Sequence, residues 1–346
     1  MGKRIIALML MFTIMLSACQ KTPEKVTENE NGVKISDEKE TYLNLESETT
    51  MTTEAFEAPD HISETYTEED YTVNIESDVV LPTTAVTSGQ LVSEEVSLET
   101  MKDVLNPYAE WVVRDGVYYV LRPESEQQED QVDYSVYLMK DQDIENQVTY
   151  DVMFTQDFPV DADFIEKNLW TEEQNYFYEE AKQYAENILQ TLGYTYVIES
   201  GELWGKDTHW YASFSLVYTL DGIPLCDLSS MGVDNVKSVS GQMSATTDQV
   251  GGLVLNGDYS VAESMPVELL SLDSIVKCFV GAVGQGNAGK LLGNVNITKI
   301  QLEYWVNSDL SYVPVWTFYN TQEEMGELEV PITCIQASTG EIMYQW

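Results

Sequence analysis

Residues 171–193, TEEQNYFYEEAKQYAENILQTLG, carry the clearest secondary-structure signal in the chain. The first four residues match a capping box, in which the Thr171 hydroxyl and the Gln174 side chain each satisfy a free backbone N–H. Gly193 supplies a C-terminal stop. Between these signals, apolar residues recur at the spacing of one helix face: Phe177, Ala181, Tyr184, Ile188 and Leu192. The sequence therefore predicts a helix over residues 171–192.

Strand patterns lie on both sides of this helix. Residues 210–220, WYASFSLVYTL, carry an apolar residue at every second position, which is the period of a strand with one buried face. Asp221-Gly222 then turns the chain. Comparable patterns predict a hairpin at 111–121 and strands at 134–140, 147–154, 194–198, 236–246 and 253–262.

The order of elements then repeats. Ser271 can cap a second helix, and further strands are predicted at 300–306 and 312–319, with a closing hairpin at 332–346. One helix followed by antiparallel strands thus occurs twice. This predicts an α+β fold of two related lobes, each a helix packed on a mainly antiparallel sheet. We place the lobes at 161–262 and 263–346, after a β-rich N-terminal segment at 92–160.

The stretch that precedes these lobes, residues 19–91, is acidic and rich in Glu, Thr and Ser. Its apolar residues show no sustained period. A segment of low hydrophobicity and same-sign charge buries too little surface to offset the entropy of ordering. We therefore expect a disordered acidic linker that acts as a stalk.

The first 19 residues have the features of a bacterial lipoprotein signal. Lys3 and Arg4 precede a twelve-residue apolar run at 5–16, which is too short to span a bilayer. Leu16-Ser17-Ala18-Cys19 resembles a lipobox, which implies removal of residues 1–18 as a signal peptide and lipidation of Cys19. Two or more acyl chains give durable anchoring. We expect a cell-membrane protein that is lipid-anchored at the extracytoplasmic face.

The negative charge of the chain argues against nucleic acids as partners. The chain has 17 Lys and Arg against 59 Asp and Glu, for a net charge of −42. Nucleic-acid binding depends on basic side chains that neutralise phosphates, so we expect no nucleic-acid partner. The same surface repels anionic headgroups, and contact with the membrane should come through the lipid on Cys19.

A glycine-rich stretch, Gly284–Lys290, matches both G-x-G-x-x-G and G-x-x-x-x-G-K. A phosphate cradle needs a strand before it, a helix after it, and Ser or Thr after the Lys. Here a helix is predicted before the stretch, and Leu291 follows Lys290. We interpret it as a loop from helix to strand and expect no nucleotide and no cofactor.

Catalytic and metal signatures are missing from the sequence. His209 has no partner serine motif and no H-E-x-x-H pattern around it. Acid pairs such as Asp161/Asp163 and Glu172/Glu173 carry little information among 59 acids. We predict no catalytic residue, no metal ligand and no enzymatic activity.

The sequence leaves two questions open: whether any cysteines are paired, and whether any tryptophans form a binding surface. Cys226, Cys278 and Cys334 each have apolar neighbours, which favours buried free thiols, although one pair could form a disulfide. Exposed indole rings can provide a partner or ligand surface, whereas strand aromatics more often pack in a core. The candidates for such a surface are Trp170, Trp204, Trp305 and Trp316.

Two C-terminal stretches carry a family resemblance. Gln336–Ile342, QASTGEI, resembles the Asp-Ala-x-Thr-Gly-Glu-Ile ending of PepSY-type domains, and Tyr312–Phe318, YVPVWTF, resembles the strand that precedes it there. Together with the start CQKTPEK at 19–25, the plan is similar to uncharacterised lipoproteins of clostridial Firmicutes and, distantly, to regulatory proteins of the Yyc sensor-kinase system. The resemblance implies non-catalytic modules that bind or restrain peptidases, sensors or envelope partners.

These observations favour a membrane-anchored binding or regulatory module for a peptide or envelope protein partner. Two alternatives remain at this point. The aromatic content also suits a lipoprotein that binds a glycan or another solute. Carboxylates gathered in a cleft would suit a hydrolase of envelope polymers.

Overall fold

The computed structural model describes residues 27–29, 32–34, 58–68, 70–82, 84–121, 134–140, 147–152, 158, 161–226, 228, 233, 239–285, 293–322 and 328–346. Residues 1–50 form one unit, in which Thr27–Asn29 (β1) and Gly32–Lys34 (β2) pair antiparallel. Residues 51–346 form the other unit. In the described part of the chain, no helix is long and apolar enough to cross a bilayer. Cys19 lies outside the described residues.

The first sheet is antiparallel throughout, with the order β10-β11-β12-β14-β15-β9-β8-β7-β6 and β13 paired to β12. Its strands are Trp111–Arg114 (β6), Val117–Leu121 (β7), Tyr134–Lys140 (β8), Gln147–Val152 (β9), Asp163–Ile165 (β10), Tyr196–Lys206 (β11), His209–Leu220 (β12), Ile223–Pro224 (β13), Ser240–Ala245 (β14) and Val250–Asn256 (β15).

Helices Leu98–Leu105 (α1) and Glu172–Leu192 (α2) pack against this sheet. α2 contacts β11, β12 and β14, and α1 contacts α2 and β8. The predicted capping box is confirmed, because Thr171 Oγ1 accepts from the Gln174 N–H while Gln174 Oε1 accepts from the Thr171 N–H. Gly193 ends the helix at a φ of 80°, a left-handed conformation that glycine adopts at little cost.

The second sheet has the order β16-β5-β18-β17-β4-β3, with β19 on β18 and β20 on β19. Its strands are His61–Thr67 (β3), Thr72–Val80 (β4), Thr87–Ser93 (β5), Tyr259–Pro266 (β16), Asn294–Val306 (β17), Ser311–Gln322 (β18), Leu328–Gln336 (β19) and Ile342–Gln345 (β20). The β4–β17 pair is parallel and the other pairs are antiparallel. Helix Leu272–Gln285 (α3) contacts β19 and β20.

The predicted α+β fold of two helix-plus-sheet lobes is confirmed. The bounds differ from the prediction, however. Strands β3, β4 and most of β5 fall within residues 19–91, so the expectation of a disordered linker is wrong for these strands. The segment 92–160 is not separate either, because β6 to β9 belong to the first sheet. The second sheet is formed by strands that precede the first lobe in sequence and by strands that follow it.

The two sheets share one continuous hydrophobic core. Tyr218 packs edge-to-face on Tyr196 at 5.1 Å and on Tyr259 at 5.8 Å between ring centroids. Because Tyr196 and Tyr218 belong to the first sheet and Tyr259 begins β16 of the second, these rings join the lobes. In the second lobe, Phe279 of α3 stacks on Phe318 of β18 at 4.1 Å.

Candidate functional site

The four tryptophans proposed as a partner surface separate into two pairs. Trp305 is 4% exposed and Trp316 is fully buried, so both belong to the core of the second sheet and the prediction is wrong for them. Trp170 and Trp204 are half-buried and lie at one end of the first sheet. Position in a strand does not distinguish the accessible Trp204 from the buried Trp305 and Trp316, because either face of a sheet can be covered by other elements.

Trp204 lies on the face of the first sheet that is opposite α2. The register places Phe164 of β10 and Tyr211 of β12 directly across from it, and residues paired in this way share a face. The Phe164 and Trp204 rings pack edge-to-face at 5.7 Å. Phe158 adds a fourth ring, 5.6 Å from Tyr211. We call Phe158, Phe164, Trp204 and Tyr211 the aromatic patch.

The aromatic patch is accessible to solvent. Phe164 is 48% exposed, and the other three side chains are half-buried. Gly251 of β15 makes room for Phe158, because a Cβ at this position would come within 2.2 Å of the Phe158 ring. Contiguous aromatic rings that remain accessible on a sheet face are typical of interaction surfaces.

The opposite face of the same strands anchors the patch. Here α2 covers the sheet through ring contacts between Tyr178 and Phe214 at 5.6 Å and between Phe177 and Trp210 at 5.8 Å. Trp170 packs on Tyr178 at 4.8 Å and donates from Nε1 to the Ile165 carbonyl at 2.9 Å. Trp170 therefore ties strand β10 to the start of α2, and we assign it a supporting role beneath the patch.

Acidic side chains border the aromatic patch. Glu202 is exposed on the same face, two residues from Trp204, and its Oε2 accepts from Trp204 Nε1 at 3.2 Å. Asp161 lies just before the edge strand β10, and Asp163 begins that strand with its side chain on the face opposite Phe164. Lys206 pairs with Asp161 and lowers the pKa of that carboxyl below its usual value.

The same face continues to Asp151. In the register, Glu202 lies opposite Ser213, and the row runs through Ser244 and Gly252 to Asp151. Partial burial raises the pKa of Asp151, although a hydrogen bond with Tyr137 acts in the opposite direction. This face thus combines four aromatic rings with partly desolvated and exposed carboxylates.

A second polar cluster is buried in the other lobe. Glu303 is 2% exposed, and its carboxylate accepts from the Thr317 hydroxyl and from the Tyr319 hydroxyl, each at 2.6 Å. Burial raises the pKa of Glu303, and the two hydroxyl donors partly oppose that shift. Cys226 and Cys334 lie beside it, with their sulfur atoms 3.8 Å apart. Such a carboxylate has no route to a substrate and acts as a structural group.

Sequence patterns did not single out this cluster. Glu303 occupies the middle of β17, where Gln301, Glu303 and Trp305 alternate with apolar residues and indicate an outward face. That face is instead covered by Cys226 and Leu228, which follow β13. The sequence feature that could have pointed to this cluster is the isolated carboxylate of Glu303 between Leu302 and Tyr304.

The remaining sequence candidates do not converge on a site. His209 begins β12 opposite Lys206 and is half-buried. Asp161 and Asp163 lie on the edge of the first sheet, and Glu172 and Glu173 are exposed in the first turn of α2. Gly284 lies in α3, and residues 286–290 of the glycine-rich stretch fall outside the described residues. No disulfide joins the described cysteines in this structure: Cys226 and Cys334 are buried, and Cys278 is half-buried.

The described residues therefore bring together one accessible aromatic surface and one sealed polar cluster. The arrangement of the aromatic patch suits recognition, because aromatic rings give contact area at low entropy cost and carboxylates select for positive charge.

Comparison with known proteins identifies the fold. No protein-family model and no curated protein matches the sequence. A crystal structure of an uncharacterised protein from Eubacterium rectale ATCC 33656 aligns with a TM-score of 0.50 at 16% identity, over 83% of this chain and 94% of that chain. The Bacillus megaterium YpeB C-terminal domain aligns with a TM-score of 0.33 at 16% identity, over 74% of this chain and 97% of that domain. The chain is thus similar in fold to the Eubacterium rectale protein.

Proposed function

We propose that this chain is a lipid-anchored, extracytoplasmic module that binds a peptide or envelope protein and carries out no chemistry of its own. The aromatic patch is the observation that carries the proposal. Its edge-to-face pair, Phe164 and Trp204, is held from below by Trp170 and α2, so the rings are ordered before a partner arrives. Pre-ordering lowers the entropy cost of binding.

Charge indicates which partner fits. Glu202 and Asp161 lie beside the patch, and the whole chain carries a net charge of −42. A partner segment with Lys or Arg next to apolar side chains would satisfy both features, and long-range attraction would speed its encounter with the patch. We therefore propose a basic, partly apolar segment as the occupant.

The resemblance of residues 312–318 and 336–342 to PepSY-type domains supports a binding role as well. The first stretch lies in β18, and the second forms the turn that leads into β20. These elements have structural side chains at their centre, including the buried Trp316. We propose that the second lobe supports the first, which presents the patch.

Site-specific photo-crosslinking tests this proposal. A photoreactive phenylalanine analogue replaces Phe164 in the membrane-anchored protein, and the control replaces Tyr108, which is 96% exposed and lies outside the patch. We expect one adduct from position 164 that is lost in the Trp204→Ala variant and that weakens as salt concentration rises. Adducts that are equal at the two positions would contradict the proposal.

A glycan ligand is the second candidate, because rings on a sheet face beside Asp151 and Glu202 also suit stacking on sugars. Calorimetric titration of the purified protein with envelope glycans distinguishes a glycan ligand from a basic protein segment. Glycan binding that Trp204→Ala abolishes and that salt leaves unchanged would favour the glycan over the basic segment.

A further inference from the structure

Two cysteines that are far apart in sequence meet in the core. Cys226 and Cys334 are separated by 108 positions, yet their sulfur atoms lie 3.8 Å apart. They are 2% and 0% exposed. Cys278 lies elsewhere, on α3, and is half-buried.

Backbone hydrogen bonds hold both residues in place. The Cys226 N–H donates to the Tyr304 carbonyl at 2.8 Å, and Leu225 forms a parallel bridge with Tyr304. Cys334 lies in β19 directly opposite Thr317 of β18. Leu225 and Cys226, which we call the segment after β13, are therefore held beside β17 at a fixed position, and the distance between the sulfurs follows from the fold.

The remaining gap is small. A disulfide joins its sulfurs at about 2.05 Å, so side-chain rotations that bring the sulfurs about 1.8 Å closer would suffice. Leu228, Val315 and Tyr344 pack around the pair. The Thr317 hydroxyl lies 3.6 Å from the Cys334 sulfur and 4.0 Å from the Cys226 sulfur.

We propose that Cys226 and Cys334 form a disulfide that fastens the segment after β13 to strand β19, while Cys278 stays a thiol. The oxidant is a disulfide donor of the type RS–SR. One cysteine thiolate attacks the donor, which forms a mixed disulfide and releases RS⁻. The second thiolate attacks that mixed disulfide, which releases the second RS⁻. The cysteines lose two electrons, the donor gains them, and the two thiol protons end on the released thiols.

The environment sets when this exchange takes place. The neighbouring Cys334 sulfur, burial and Glu303 raise the pKa of the Cys226 thiol in the folded chain. The packing around residues that are 2% and 0% exposed also keeps an oxidant away from the sulfurs. We therefore place the exchange during folding, before the segment after β13 closes over the sheet. Once formed, the bond is shielded from reductants by the same packing.

Refolding in a defined redox buffer tests the proposal independently of any anchoring or partner. Full-length protein with Cys19→Ser is unfolded and refolded with oxidised and reduced glutathione, then denatured and treated with a thiol alkylating agent without reduction. We expect mass spectrometry of the peptides to show the Cys226–Cys334 link and an alkylated Cys278. Alkylation of all three cysteines, or a link through Cys278, would overturn the proposal.

Matched variants complete the test. Cys278→Ser should keep the link, and Cys226→Ser and Cys334→Ser should each lose it. The thermal midpoint of the oxidised protein should exceed that of the reduced protein by on the order of 5 °C, since a cross-link over a loop of this length restricts the unfolded chain. Cys334→Ser should show the same midpoint in both buffers. Because the link is read in the wild-type and Cys278→Ser proteins, a variant that fails to fold does not remove the test.

Discussion

The hydroxyl of Tyr319 donates a 2.6 Å hydrogen bond to the carboxylate of Glu303 inside the second lobe. Both side chains are buried, so this contact replaces the water that either group would otherwise bind. Removing one partner of a buried hydrogen bond leaves the other group unsatisfied, which costs roughly 1–3 kcal/mol. We expect Tyr319→Phe to lower the free energy of unfolding by about 2 kcal/mol at neutral pH, as measured by urea denaturation.

Glu303 also predicts a pH dependence of stability. Burial raises its pKa above the usual 4.5, so the folded chain holds this proton more tightly than the unfolded chain does. The resulting stabilisation is complete below about pH 4.5 and is lost as the pH rises through the folded-state pKa. Repulsion among the other acids also changes with pH, so the informative quantity is the difference between wild-type protein and Glu303→Gln. We expect wild type to lose stability relative to Glu303→Gln as the pH rises, and parallel curves would contradict this.

The capping box at Thr171 gives a local prediction. Thr171→Ala removes the acceptor for the Gln174 N–H and should lower the free energy of unfolding by about 1 kcal/mol. Thr171→Ser keeps a hydroxyl at the same place and serves as the control. Chemical denaturation at constant pH measures both variants, and an equal loss in the two would show that the hydroxyl is not the stabilising group.

Two glycines should respond to alanine in opposite directions. Gly89 lies in β5, where a Cβ would come within 1.9 Å of the Glu263 carbonyl oxygen, a backbone atom that cannot easily move. Gly89→Ala should therefore destabilise the protein by roughly 1–3 kcal/mol. Gly281 is exposed on α3 with nothing within 4 Å of a Cβ, so Gly281→Ala should stabilise it by about 0.5–1 kcal/mol. Thermal unfolding distinguishes these outcomes.

The proposed lipid anchor depends on one side chain. We expect Cys19→Ala to move the protein from the membrane fraction to the soluble fraction and to abolish incorporation of a labelled fatty acid, because the proposed acylation takes place at this residue. Cys278→Ala is the matched control and should stay with the membrane. Recovery of Cys19→Ala in membranes at the wild-type level would contradict the lipid anchor.

The helix that contains Ala181 and Ile188 could be predicted from sequence because each of its signals is local. A capping box, an apolar face and a terminal glycine all lie within residues 171–193. Strand β12 was equally accessible to prediction, since its apolar residues alternate continuously from Trp210 to Leu220. Local patterns of this kind do not depend on which other strand lies alongside.

Strands β3 and β4 were missed for a physical reason. β3 is an edge strand with mostly exposed side chains, and its acidic, Thr-rich composition is that of a solvated linker. In β4, Val73, Ile75 and Val79 do alternate, but the burial of this face depends on β17. Asn74 bonds to Asn296, 222 positions away, and no local pattern reports such a pairing.

The aromatic patch shows a similar limit. Trp204 was recognised as a candidate, whereas Phe158, Phe164 and Tyr211 were not, since their proximity depends on the register of β10, β11 and β12. Trp305 and Trp316 have the same local pattern and are buried, because α3 covers one face of their sheet and the segment after β13 covers the other.

All strands of the first sheet lie between Ser93 and Tyr259, two residues that pair with each other in the second sheet. On the ribosome, β4 and β5 therefore emerge early, but their central neighbours β17 and β18 arrive only when nearly the whole polypeptide has been made. The first lobe can fold before the second, which must wait for the last strands to be translated. A ribosome stalled before residue 294 would carry the first lobe together with the strands β4 and β5, each still lacking its neighbour in the middle of the second sheet, and that is the point at which chaperones would be needed most.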